Sequence, residues 1–165
     1  ELTLDKPGTV LAKAKVAALL KTKPISNIAK LHYSEKPYWH IERARIENSR
    51  KVPIEVIVNG YPISQQEIIA NGKLQDIEFE VPIHYSSWIA LRILPSSHTN
   101  PVFVIVDNKP IRASKQSTQW CLVGVKKCRK DKLRFMGKDE IDDFNMTYDH
   151  AEMVYKNIIN ESVAD

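Results

Sequence analysis

Five histidines, His32, His40, His84, His98 and His150, are the side chains best suited to hold a metal or move a proton near neutral pH. Their spacing assigns them no such task. None forms His-x-His or His-Glu-x-x-His and none has a cysteine at ligand spacing, so no metal site and no cofactor are expected in this chain. His98 stands apart as the one ionisable side chain of the polar run Ser96-Ser97-His98-Thr99-Asn100, which joins two β-branched apolar stretches. In such a loop, Ser96, His98 and Asn100 can converge at the rim of a β-fold on a ligand or a neighbouring domain. The structural reading competes: Ser, Thr and Asn hydrogen-bond their own loop backbone, and Asn100-Pro101 opens the next strand.

Nucleophilic chemistry has less support. None of the five glycines flanks a serine as Gly-x-Ser-x-Gly would, and no glycine-rich phosphate loop is present. Cys121 and Cys128 lie seven residues apart; on one helix their Cα atoms are roughly 10 Å apart, beyond disulfide reach, so both are expected as free, buried thiols. Tyr38, Trp39, Tyr85 and Trp88 fall where strands are expected to start. Exposed coplanar rings there would stack on sugars, whereas buried ones would cap the end of a sandwich.

The elements that position these groups follow from periodicity. A chain of 165 residues with 43% hydrophobic and 27% charged residues suits one ordinary domain with a real core. The net charge is +4, but Lys and Arg are scattered and the densest basic run, Lys126 to Arg134, is short, which argues against a nucleic-acid partner. No apolar segment approaches the ~20 residues that cross a bilayer, so no membrane partner is expected. The chain opens on Glu1-Leu2-Thr3-Leu4 without Met or a signal-peptide core, as a processed protein or excised fragment would.

Strands are predicted at Leu2–Leu4 and Thr9–Ala18, with Val10, Ala12, Ala14, Val16 and Ala18 on the core face. Residues Lys21 to Pro37 read as a long surface connection. His40–Ile46, Val52–Val58, Ile63–Ile69 and Leu74–Ile83 read as a meander, with Asn59-Gly60 as its strongest hairpin signal. Trp88–Leu94 and Val102–Val106 are nearly continuous apolar runs, predicted as central strands covered on both faces. Then the period changes to 3.6. Ser114 or Ser117 caps a helix to about Lys130, with Trp120, Cys121, Gly124, Val125 and Cys128 on one stripe. Ile141, Phe144, Tyr148, Ala151, Tyr155 and Ile158 mark a second, amphipathic helix of about five turns. The expected fold is mainly β: an Ig-like antiparallel β-sandwich over residues 1–113, with two C-terminal α-helices over 114–165 packed on it.

Three stretches, Tyr38-Trp39-His40-Ile41-Glu42-Arg43-Ala44-Arg45-Ile46, Val52 to Pro62 and Arg92 to Arg112, resemble the C-terminal region of CehA/McbA-like metallohydrolases. These belong to the wider PHP group of metal-dependent phosphoesterase-like enzymes, many from environmental bacteria. The similarity extends to the Trp120-Cys121 helix and the Tyr148 to Tyr155 tail, and Thr99-Asn100-Pro101-Val102-Phe103-Val104 is its most widely shared fragment. The resemblance implies an accessory sandwich domain that follows a metal-binding catalytic domain and partners it, in a periplasmic or secreted protein. It also leaves room for a homo-oligomer. The metal ligands of the catalytic part have no counterpart here, so no catalytic residue carries over. The residues expected at a ligand or domain contact are His98, Asn100, Ser96, Trp39, His40, Arg43 and Tyr85. The rival expectations are a carbohydrate-binding sandwich module and an independent hydrolase centred on His98.

Overall fold

Alternating apolar and polar residues build the smaller of two sheets. In the computed structural model, which describes residues 1–162, strand β2 (Gly8–Val16) runs antiparallel to β5 (Gln75–Ile83). Val10 faces Val81, Ala12 faces Phe79 and Ala14 faces Ile77 on the core side. The intervening residues carry opposite charges across the strands: Lys13 pairs with Glu78 at 2.7 Å and Lys15 with Asp76 at 2.8 Å. This is the half-buried strand pair that the alternation predicts.

The larger sheet has the order β1-β8-β6-β3-β4, with β7 (Ser97–His98) added beside β6. Here β1 is Leu2–Leu4, β3 Lys51–Val58, β4 Tyr61–Ile69, β6 Ser87–Ile93 and β8 Val102–Val106. All neighbours are antiparallel except β1 and β8. Asn59-Gly60 makes the β3–β4 turn with φ of 52° and 98°, the double positive φ of a tight hairpin. The Asn59 side chain then reaches β6, donating to Ser87 Oγ and accepting from the Trp88 amide, each at 3.0 Å. Val52, Ile54 and Val56 of β3, Ile89, Leu91 and Ile93 of β6, and Val104 and Val106 of β8 face Ile77, Phe79, Val81 and Ile83 of β5 in one core. The unit is therefore mainly β and sandwich-like.

Two expectations for the first unit are corrected. His40–Ile46 is not a strand: Ile41–Ala44 forms a 3-10 helix after residues 26–29 (α1) and a 3-10 turn at Tyr33–Glu35. The His40 ring accepts from the Glu42 amide at 3.0 Å and Glu42 pairs with Arg45 three residues on, a helical spacing that a strand would split across two faces. Nor, within the first unit, are β6 and β8 covered on both faces. Trp88, Ala90 and Arg92 of β6 stay half-exposed and Phe103 of β8 is 45% exposed, because a sheet of only β2 and β5 covers one face of the larger one.

The chain divides into two compact units, the first ending at Ile111 and the second beginning at Arg112. In the second, α2 (Lys115–Lys132) starts at Ser114, whose Oγ accepts from the Ser117 amide at 3.0 Å. It packs along α3 (Ile141–Glu161), which at 21 residues makes about six turns rather than five. The α3 stripe is as predicted, with Ile141, Phe144, Tyr148, Ala151, Tyr155 and Ile158 all half-buried. On α2 the stripe needs correction. Trp120 is 76% exposed and Gly124 is exposed, while Cys121, Leu122, Val125, Cys128 and Arg129 are half-buried. Arg129 fixes this register by reaching Asp149 at 2.7 Å and Asn145 at 3.0 Å on α3; Trp120, about 100° from Cys121 around the helix, falls outside it. Cys121 and Cys128 are free thiols, half-buried rather than buried, and the Tyr148 hydroxyl lies 3.2 Å from Cys128 Sγ.

Candidate functional site

The loop between β6 and β8 is built by its own hydroxyls. Ser96 Oγ donates to the Ile93 carbonyl at 3.2 Å, and Thr99 Oγ1 accepts from the Leu91 amide at 3.1 Å, so both are spent on the turn. Asn100 is exposed, as is His98, whose Nδ1 sits 3.0 Å from the carbonyl oxygen of Thr99. Strand register does give His98 neighbours: it lies opposite Arg92, which lies opposite Glu55, and these two pair at 2.6 Å. Side chains directly opposite share a face, so Glu55, Arg92 and His98 form a polar row across β3, β6 and β7. It borders a shallow depression of about 160 Å³ between Val16, Leu91 and His98. The one carboxylate of the row is held by Arg92, and the His98 ring is bonded to backbone. The row suits polar contact with another surface rather than activation of a nucleophile.

The aromatic candidates do not gather into a platform. Tyr38 and Trp39 are both exposed, but their rings meet edge to face, 4.8 Å apart at 88°, and so present no common plane to a sugar. Tyr85 is exposed on the β5–β6 connection. Arg43 braces the preceding segment: it donates to the Lys36 carbonyl at 3.2 Å and its guanidinium lies 4.2 Å from the centre of the Tyr33 ring.

Next to it sits a pair that sequence reasoning missed. The side chains of Glu42 and Arg45 are 1% and 3% exposed. Both carboxylate oxygens are used, by Arg45 Nε at 2.5 Å and by its second terminal nitrogen at 3.0 Å, and the Ile25 amide adds a contact at 3.3 Å. Arg45 also donates to the carbonyls of Lys21 and Ser49. Burial pushes the Glu42 carboxyl up, but the Arg45 hydrogen bonds, the Ile25 amide and the positive field of Arg45 together hold it below the ordinary value. The pair therefore stays ionised and ties the Lys21 end of the long connection to the 3-10 helix and the turn before β3. Its signal was Glu-x-x-Arg spacing behind a histidine cap, hidden once the segment was read with period two.

The outer face of the larger sheet is the remaining candidate surface. Trp88 of β6 lies opposite Phe103 of β8, and Ala90 lies opposite Ile57 of β3; Ile105 is two residues along β8 from Phe103 and shares its face. Ile57 is buried, Trp88, Ala90 and Ile105 are half-exposed, and the Glu55–Arg92 pair lies along one edge.

Among the described residues, no three His, Cys, Asp or Glu side chains gather as a metal site, and no helix is long and apolar enough to cross a membrane. Comparison with protein-family models, curated proteins and solved structures yields no match to this chain.

Proposed function

We propose that the chain is a non-catalytic, immunoglobulin-like β-sandwich accessory domain of a larger bacterial metal-dependent hydrolase of the CehA/McbA-like, PHP type. It docks on the catalytic domain through the outer face of its larger sheet. The observation that supports this is the apolar strip of Trp88, Phe103, Ala90 and Ile105, left partly open beside a polar edge. Exposed apolar strips with polar rims mark interaction surfaces. The polar row ending at His98 belongs to the same contact, which is where Ser96 and Asn100 also lie. A periplasmic or secreted setting and a homo-oligomer through the same parent enzyme accompany this reading.

The test begins with the reading frame upstream of Glu1, which should encode His-x-His and acidic metal ligands. A frame without them overturns the proposal. In the parent protein, Phe103→Asp should then speed limited proteolysis between the two domains; an unchanged cleavage rate refutes the docking face. The carbohydrate-binding reading gains no support from the perpendicular Tyr38 and Trp39 rings, nor the independent hydrolase from a His98 bonded to backbone.

A further inference from the structure

Beside the Glu42–Arg45 pair lies an open pocket of about 550 Å³, within the size range of small-molecule sites. Leu19, Leu20, Ile25 and Ile41 give it apolar walls, and its polar lining comes from Lys21, Thr22, His40, Glu42 and Arg50. Among the described residues its one lining carboxylate is Glu42, and both of its oxygens are taken by Arg45. What remains available is positive or donating.

Arg50 is the decisive residue. Its Nε is buried and has no hydrogen-bond partner among the described residues. Its carbonyl, by contrast, accepts from the Ala70 amide at 2.7 Å, so the backbone is held while the side-chain Nε is unpaired. A buried donor left unpaired costs about 1–3 kcal/mol, more when charged, so an acceptor belongs against it. Arg43 also has a buried unpaired Nε, but its head is braced by the Lys36 carbonyl and the Tyr33 ring and it does not line this pocket. His40 adds a second donor. Its Nδ1 accepts from the Glu42 amide, which places the ring proton on Nε2.

We propose that this corner binds a small monocarboxylate with an apolar body. The carboxylate pairs with the Arg50 guanidinium, whose planar fork matches its two oxygens, and His40 Nε2–H and Lys21 supplement the pairing. The apolar body rests on Leu19, Ile25 and Ile41. A phosphate fits less well, since its higher charge would lie beside the Glu42 carboxylate and leave the apolar side chains of Leu19, Ile25 and Ile41 without a partner. This site is separate from the proposed docking face and stands whether or not that face contacts a catalytic domain.

Benzoate is the probe, followed by nitrogen–proton NMR on the full chain. Saturable shifts are expected at the Arg50 Nε–H and at the Ile25 and Ile41 amides, reaching half-saturation below about 10 mM. Arg50→Gln should weaken binding at least about tenfold, and Arg50→Lys, which keeps the charge but loses the fork, should fall between. Lys109→Gln, remote from the pocket, controls for net charge and should bind as wild type. Shifts that do not saturate, equal shifts with neutral benzamide, tighter binding of inorganic phosphate, or an Arg50→Gln variant that binds as wild type would each overturn the proposal. If Arg50→Gln does not fold, the Arg50→Lys and benzamide comparisons decide it.

Discussion

Truncating Glu42 to Ala tests how the long connection is held. The substitution strands the Arg45 charge and the Ile25 amide in a region where both ion-pair side chains are nearly inaccessible. Removing one partner of a buried pair typically costs about 3–5 kcal/mol. Because the Lys21 and Ser49 carbonyls still hold Arg45, the lower end is expected, about 3 kcal/mol. At about 4 °C per kcal/mol for a unit of this size, the melting temperature should fall by about 12 °C. The assay is guanidinium unfolding followed by tryptophan fluorescence in a Trp120→Phe background, which leaves Trp39 and Trp88 as reporters of the first unit alone. Because Trp120 is highly exposed, that background should be neutral. Replacing both partners, Glu42→Met with Arg45→Leu, should cost less than Glu42→Ala alone, since no charge is left unpaired. The pH dependence has a definite sign. The folded carboxyl lies below its ordinary value of 4.5, so its contribution is complete above that range and is lost as pH falls through the folded value. The stability gap between wild type and Glu42→Gln should be flat at neutral pH and close in acid. A loss below about 1 kcal/mol, the worth of an exposed pair, would refute the reasoning.

Two further substitutions probe the sandwich. The buried Ser86 hydroxyl accepts from the Val106 amide at 2.8 Å and donates to the Lys109 carbonyl at 2.6 Å, so Ser86→Ala should lower stability by about 1–3 kcal/mol, read as a shifted denaturant midpoint at constant slope. Gly60 holds φ at 98° with the nearest foreign atom 4.0 Å from a built Cβ, so Gly60→Ala is penalised through the backbone and not through a clash. It should cost about 1–3 kcal/mol, with faster amide exchange confined to the β3–β4 hairpin.

Much of the fold was legible because burial follows period. The alternation in β2 and β5 and the three- and four-residue steps of α3 assign each face without help from the rest of the chain, and Asn59-Gly60 and Ser114 mark a turn and a cap by local chemistry. The His40–Ile46 segment was misread because a strand pattern and a short 3-10 turn look alike over seven residues, and the distinction rests on Glu42 finding Arg45. Of the seven residues expected at a contact, Ser96 is consumed by its own turn. His98 lies opposite Arg92 across a short hairpin, but Arg92 meets Glu55 only through the β3–β6 register, a long-range pairing with no local signal. Arg50 was invisible for the same reason, since the lack of a partner at its Nε depends on what folds around it.

Local physics, written in residue order, determined the elements: apolar alternation makes strands, 3.6-residue spacing makes helices, and polar caps end them. Tertiary structure decided what those elements enclose. Within the first unit a two-stranded second sheet covers only one face of the larger sheet, leaving Trp88 and Phe103 at that unit's surface, and the folded-back connection buries Glu42 with Arg45 while leaving the Arg50 Nε without a partner among the described residues. Both outcomes depend on which distant residues meet, and pairing between residues far apart in the chain is set by the whole packing, not by any local pattern.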